Sequence, residues 1–241
     1  MPRQGKARRQ RLVTLAELGS GNRDSFGGGV VGAMITATGK TLRKAKGDGH
    51  LRRAEILEVA ERIFVAEGYE GATIRRIAEE VGVSSTALYM HFPDKGCILH
   101  EITERTFQQL LASNNEISRR PLDPVVRLRM MLEAYATWGF DHPNAYQLVY
   151  CQRGPVTTAP MPERTADLSR QCYETFSSVV REVAASGRLR AVGAETAGQA
   201  LWMACHGVVA LAISRPTFDW ADRGELMRVT LDGLLYGLVI D

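Results

Sequence analysis

Between Leu51 and Glu67 the apolar residues Ile56, Leu57, Ala60, Ile63 and Phe64 fall at i, i+1, i+4, i+7 and i+8. That is the stripe of an amphipathic helix with one face in a core. Gly68 predicts its end, because a residue that accepts positive φ closes a helix without strain. A shorter stripe follows in Ile74, Ile77, Ala78 and Val81, with Thr73 placed to cap it and Gly82 to stop it. A third helix starts at once behind Ser84. Its pattern predicts Val83, Ala87, Leu88 and Phe92 inward and Ser85, Thr86, Tyr89 and Met90 outward. Two short helices across a tight turn, the second polar on its outer face, fit a helix-turn-helix that sets its second helix in a DNA major groove. A generic helical hairpin has the same periodicity, so the pattern alone leaves both readings open.

The rest of the chain is also patterned as helix. Pro93 and Asp94 end one element and start the next, with Lys95 in its first turn. That helix is predicted to reach about residue 118, with Ile98, Leu99, Ile102, Phe107, Leu110 and Leu111 available for packing. Further helices are predicted over 125–140, from Pro143 through Tyr150, and at 163–186, 194–214 and 222–239. The three prolines of 153–163 mark a loop. No stretch alternates as a strand does, so the expected fold class is all-α. No uninterrupted apolar run of spanning length is apparent, and no membrane partner is expected.

Composition narrows the class. With 241 residues, 45% hydrophobic and 24% charged, the chain suits a soluble globular protein. Cys97, Cys151, Cys172 and Cys205 are scattered without a CxxC pair, which points to a reducing, cytoplasmic compartment. The net charge of +3 hides an asymmetry: residues 1–50 carry ten Lys and Arg against three acids, and the remainder twenty against twenty-four. The first 50 residues, rich in Gly, Ser and Thr, are expected to be a disordered basic extension. It is either an arm that reaches DNA phosphates or a minor groove, or a dispensable leader. The expected organisation is this extension (1–50), a helix-turn-helix domain (51–97) and a larger helical domain (98–241).

Several phrases then match in register. Phe64 to Tyr69 (FVAEGY), Thr73 to Ala78 (TIRRIA), Gly82 to Ser84 (GVS), Leu88 to Phe92 (LYMHF) and Asp94–Lys95 resemble the head of the TetR/AcrR family of bacterial transcription regulators. Gly96 departs from the family, which commonly has Glu there. Beyond residue 110 the likeness is looser: HPNAYQLVY (142–150) and LWMACHGVVAL (201–211) are similar to the C-terminal subgroup with a Trp-His-Gly type motif. The resemblance implies an all-helical homodimer with N-terminal heads that bind an operator. It also implies C-terminal domains that hold a small-molecule pocket and a four-helix dimer interface, here formed by helices 194–214 and 222–239.

For DNA, the candidate residues are Thr73, Arg75, Arg76, Ser84, Ser85, Thr86, Tyr89, His91 and Lys95. Hydroxyls and helix N-termini suit phosphates, an Arg reaches the groove edge or backbone, and a Thr methyl can touch a thymine. The residue types at Tyr89, His91 and Lys95 contact phosphates in the family, so Lys95→Ala is expected to weaken binding uniformly. For the pocket, the candidates are Met131, Tyr135, Trp138, Phe140, Tyr146, Tyr150, Phe176, Trp202, Met203 and His206, aromatic or soft groups with a few polar ends. Gly207 is expected to allow close helix approach.

The expected function is a repressor released from a palindromic operator by a small apolar or aromatic effector. Two alternatives remain open: a metal-responsive regulator using Cys97 with His100 or Cys205 with His206, and an effector-independent DNA-binding protein. No nucleophile elbow, P-loop or dinucleotide motif points to an enzyme, and no cofactor or metal is expected.

Overall fold

The computed structural model describes residues 48–151, 161–190 and 192–240. Among them the chain forms nine α-helices and one π-helical turn. In order these are α1 (Asp48–Gly71), α2 (Ile74–Val81), α3 (Ser85–Tyr89), α4 (Lys95–Ser118), α5 (Pro124–Asp141), α6 (Pro143–Tyr146), the π turn (Gln147–Cys151), α7 (Glu163–Ala185), α8 (Ala194–Ser214) and α9 (Arg223–Leu238). No strand forms among the described residues, though Leu189 and Val239 make one isolated antiparallel bridge. The expected basic extension falls almost wholly on residues 1–47, and the proline-rich loop largely on 152–160, both outside the described residues.

Local chemistry sets the first boundaries. Gly68 takes φ 73 and ψ 163 and breaks α1 where the sequence pattern stops. The Thr73 hydroxyl accepts the Arg76 N–H at 3.1 Å, and the Ser84 hydroxyl accepts that of Ala87 at 3.1 Å. Asp94 accepts the Cys97 N–H at 2.8 Å. Each satisfies an orphan donor of a first helical turn. Gly82 sits in the left-handed region, at φ 76 and ψ 35, and turns α2 into α3. A side chain at Gly96 would meet the Asp94 carboxylate at 3.0 Å and the Tyr69 hydroxyl at 3.3 Å.

Packing then divides the described residues between three apolar clusters. Ile56, Ala60, Phe64, Ile77, Leu88, Phe92 and Ile98 are fully buried together, joining α1 to α4. Ala145 of α6 and Leu148 of the π turn belong to this same cluster. A larger one gathers Leu128, Met131, Val179, Val183, Leu201, Val209 and Leu231 from α5, α7, α8 and α9. Between them, Phe107 and Leu110 of α4 meet Cys172 of α7. Arg127 is buried at the start of α5. It donates to the carbonyls of Leu122 (3.1 Å) and Ser118 (2.6 Å) and pairs with Glu182, so it ties the α4–α5 corner to α7.

Two expectations change. Ala87 is exposed, not inward: α3 is five residues long, and Leu88 and Phe92 fill its narrow inner wedge. A side chain at Gly207 would meet nothing within 4 Å. The close approach is at Gly139 instead, where a Cβ would lie 2.7 Å from Val209 and 2.9 Å from Tyr146. One further point qualifies the membrane reading. α8, with 21 residues, is long and apolar enough by composition to cross a bilayer. Ala197, Leu201, Cys205 and Val209 along it are nevertheless in the core against α5 and α7.

Candidate nucleic-acid interface and cavity

The head presents an exposed polar face across the α2–α3 turn. Thr73, Arg75, Ser84 and Thr86 are exposed, Tyr89 is 54% exposed, and Arg76, Ser85 and His91 are half-buried. The two arginines differ in availability. Arg76 is held by both Glu67 (3.2 Å) and Glu80 (2.9 Å), and these bonds raise its pKa. Among the described residues Arg75 pairs only with Glu79, one turn along, and its side chain is 83% exposed. An exposed i,i+4 pair exchanges readily for a phosphate, so Arg75 is the freer cation.

Two other cations brace this face from behind. Arg53 of α1 donates to both carboxylate oxygens of Glu101 on α4. It also donates to the His91 carbonyl at 2.8 Å and lies 4.1 Å over the Phe92 ring. Its guanidinium therefore fixes the end of α3 against α1 and α4. The Lys95 ammonium donates to the carbonyls of Tyr69 (2.6 Å) and Ala72 (3.2 Å) and lies 4.3 Å over the Tyr69 ring. It neutralises the carbonyl end of the broken α1, where a cation is favoured. Lys95 thus has internal partners besides any phosphate.

A cavity of about 410 Å³ opens among α4, α5, the π turn, α7 and α8. Six of the ten predicted residues line it: Met131, Tyr135, Tyr150, Phe176, Trp202 and Met203. Four do not. Trp138 turns toward α4, where its indole N–H donates to Gln109 at 2.8 Å, and its ring stacks on His142. Phe140 faces Arg223 of α9. Tyr146 and His206 stand directly behind Tyr135. The remaining wall, which the sequence reading did not assign to the cavity, is Phe107, Leu110, Asn114, Leu132, Ser169, Cys172, Tyr173 and Gln199. The exposed part of the rim, Gln199, Trp202 and Met203, is one turn of α8.

Behind Tyr135 the wall is backed by a hydrogen-bonded triangle. The Tyr146 hydroxyl lies 2.6 Å from His206 Nδ1 and 3.0 Å from the Tyr135 hydroxyl, and Tyr135 lies 3.1 Å from the same nitrogen. Burial pushes the Tyr135, Tyr146 and Tyr150 phenols well above their usual range and lowers His206. All four are neutral near pH 7. This wall is contiguous with the head. Tyr146 and Tyr150 pack on the cavity side, while Ala145 and Leu148 of the same short segment are buried in the head cluster.

Among the described residues no group of three His, Cys, Asp or Glu side chains converges to hold a metal. The Cys205 thiol donates to the Leu132 carbonyl, and burial pushes it up to about 12, which disfavours the thiolate a metal needs.

Comparison with known proteins places both halves. Residues 56–102 match the model for bacterial regulatory proteins of the tetR family, and 128–234 match that for a tetracyclin repressor-like C-terminal domain. The chain is 29% identical over 148 residues to the nucleoid occlusion factor SlmA of Vibrio vulnificus, covering 58% of this chain and 69% of that one. It is 58% identical over 45 residues to the HTH-type transcriptional repressor AcnR of Corynebacterium diphtheriae, covering 19% and 24%. Among solved structures, the TetR family regulator PfmR from Thermus thermophilus superposes with a TM-score of 0.63 at 26% identity, over 76% of this chain and 95% of that one. A bacterial regulatory protein in the tetR family from Rhodococcus RHA1 superposes at 0.66 over 79% and 98%, and at 22% identity that likeness concerns the fold alone.

Proposed function

The chain belongs to the tetR family of bacterial regulatory proteins, DNA-binding transcription regulators, and from that premise we propose a mechanism for this member. It acts in the cytoplasm, where the chromosome is, as a homodimeric repressor on a palindromic operator. The observation that carries the reading is the capped α2–α3 turn. Thr73 and Ser84 each close a helix start, Gly82 sets the angle, and Arg75, Thr86 and Tyr89 stand exposed on the resulting face.

In this reading Arg75, Thr73 and Tyr89 bind phosphates and set register, and Thr86 meets base edges. The second copy docks on α8 and α9. Met203, Gly207 and Leu211 form one stripe on α8, and Val229, Gly233, Tyr236 and Gly237 one on α9. The four large side chains are more than half exposed. Glycines with nothing facing them inside one chain leave room for a partner helix to approach.

A small molecule in the cavity then favours a head spacing that no longer fits both half-sites, which requires tighter binding to that state. The α6–π segment is the proposed link, since its two faces belong to the cavity wall and the head. Family and fold point to a regulator rather than an enzyme, and no catalytic constellation enters this reading.

The test is fluorescence anisotropy on a selected operator. Arg75→Ala should weaken every sequence alike and reduce the slope of log affinity against log salt by about 2, one phosphate contact per protomer. Thr86→Ala should instead change the preferred base at one position of each half-site. A Thr86→Ala protein with the original preference would remove this assignment of faces.

A further inference from the structure

The cavity's lining chemistry points to a narrower class of ligand than its shape does. The fourteen residues that line it include no Asp, Glu, Lys, Arg or His. Its polar groups are three phenols, one indole N–H, one thiol, one hydroxyl and two carboxamides. Several of these are already engaged. Tyr135 is in the triangle with Tyr146 and His206, the Asn114 amide donates to the Cys172 carbonyl at 3.2 Å, and the Cys172 thiol donates to the Phe107 carbonyl. The Tyr150 hydroxyl has no hydrogen-bond partner among the described residues, although the side chain is half-buried beside Tyr135, with ring centroids 5.9 Å apart.

A charged group drawn into such a space loses its hydration and gains no counter-charge. The nearest carboxylate makes this worse for anions. Glu195, exposed at the rim, accepts from the Tyr173 hydroxyl (2.9 Å) and the Gln199 amide (2.7 Å), both cavity residues. Its charge faces any anion that approaches the α8 rim. The same charge favours a cation at the rim, but Glu195 is not part of the lining, so it supplies no counter-charge within the cavity.

We propose that this site selects an uncharged, largely apolar ligand bearing one hydroxyl or carbonyl, which bonds Tyr150 at the deep end, and that it rejects carboxylates and ammonium ions of the same skeleton. A phenol both donates and accepts, so either ligand group satisfies it. The proposal rests on the cavity's role as the effector site. The titrations that test it contain no DNA, so their failure leaves operator binding, measured separately, untouched.

The experiment titrates the full chain at pH 7.5 with three probes on one skeleton: biphenyl-4-ol, biphenyl-4-carboxylate and biphenyl-4-ylmethylammonium. Calorimetry and quenching of tryptophan fluorescence report binding, Trp202 being in the wall. The alcohol is expected to bind at least about tenfold more tightly than either ion, the cost of leaving a charge without a partner. Tyr150→Phe should weaken the alcohol and leave plain biphenyl unchanged. Ser169→Phe, which puts a ring into the space, should abolish both, with a thermal melt to check folding. Equal or tighter binding of the carboxylate overturns the proposal. So does a preference for the ammonium that Glu195→Gln removes, or binding of none of the three up to their solubility limits.

Discussion

Glu61 carries the clearest consequence at the scale of single residues. It lies on α1 among Glu58, Arg62, Arg105 and His142, and burial raises its carboxyl to about 7 despite the pull of the nearby His142. The folded chain therefore holds this proton more tightly than the unfolded chain, whose value is near 4.5. Its contribution to stability is greatest below the unfolded value, declines as pH rises between the two, and is lost above about 7. Glu61→Gln should raise the melting temperature at pH 8, and the gain over wild type should vanish near pH 4.5. A gain that is flat with pH would show that the carboxyl is not desolvated as described.

The caps Thr73, Ser84 and Asp94 were legible in the sequence because a cap is a local event, read from residues three apart. Arg53 was not, because its partners Glu101 and His91 lie 48 and 38 positions away. Charge on a helix surface looks the same in sequence whether it is solvated or bonded across a domain.

At the scale of elements, helix number, order and approximate bounds followed from the 3.6-residue period and from glycine and proline punctuation. The cavity followed only in part. Periodicity places Met131 and Tyr135 on one face of α5 but does not say that this face meets Leu110 of α4 or Ser169 of α7, since those pairings are non-local. The same helix turns Trp138 toward α4 and Phe140 toward α9. The segment from Pro143 to Cys151 held the least visible feature, a change from α to π winding after Tyr146. Four near neighbours of this segment serve two cores, Ala145 and Leu148 the head and Tyr146 and Tyr150 the cavity side. Tyr146→Phe keeps the ring and removes one corner of the triangle with Tyr135 and His206. It should leave operator affinity without ligand within about threefold, a loss no larger than one modest hydrogen bond, while raising the ligand concentration needed for release. Unchanged release in anisotropy titrations would remove this segment from the coupling route.

For the whole molecule, the proposed dimer holds its two heads at a fixed spacing, which makes dimerisation part of DNA recognition in this reading. Leu211, 52% exposed in one chain, ends the stripe on α8. Leu211→Glu should leave the helical circular dichroism intact, yield a monomer by light scattering and lose operator binding. A monomer that still bound the full operator with wild-type affinity would contradict the two-fold arrangement. Charge plays a smaller part at this scale than the net +3 suggests. Between Thr73 and Lys95 three cations stand against three acids, and all three are paired within the chain, Arg75 only through an exposed ion pair with Glu79.

The central claim is that the exposed α2–α3 face of a dimer reads a two-fold symmetric DNA sequence. Selection of binding sites from randomised duplexes with the purified full chain tests it most directly. The account predicts enrichment of one inverted repeat with half-sites about one helical turn apart, abolished by Leu211→Glu and altered in base preference by Thr86→Ala. Failure to enrich any sequence, or enrichment of a single asymmetric site that both variants bind as well as wild type, would contradict it.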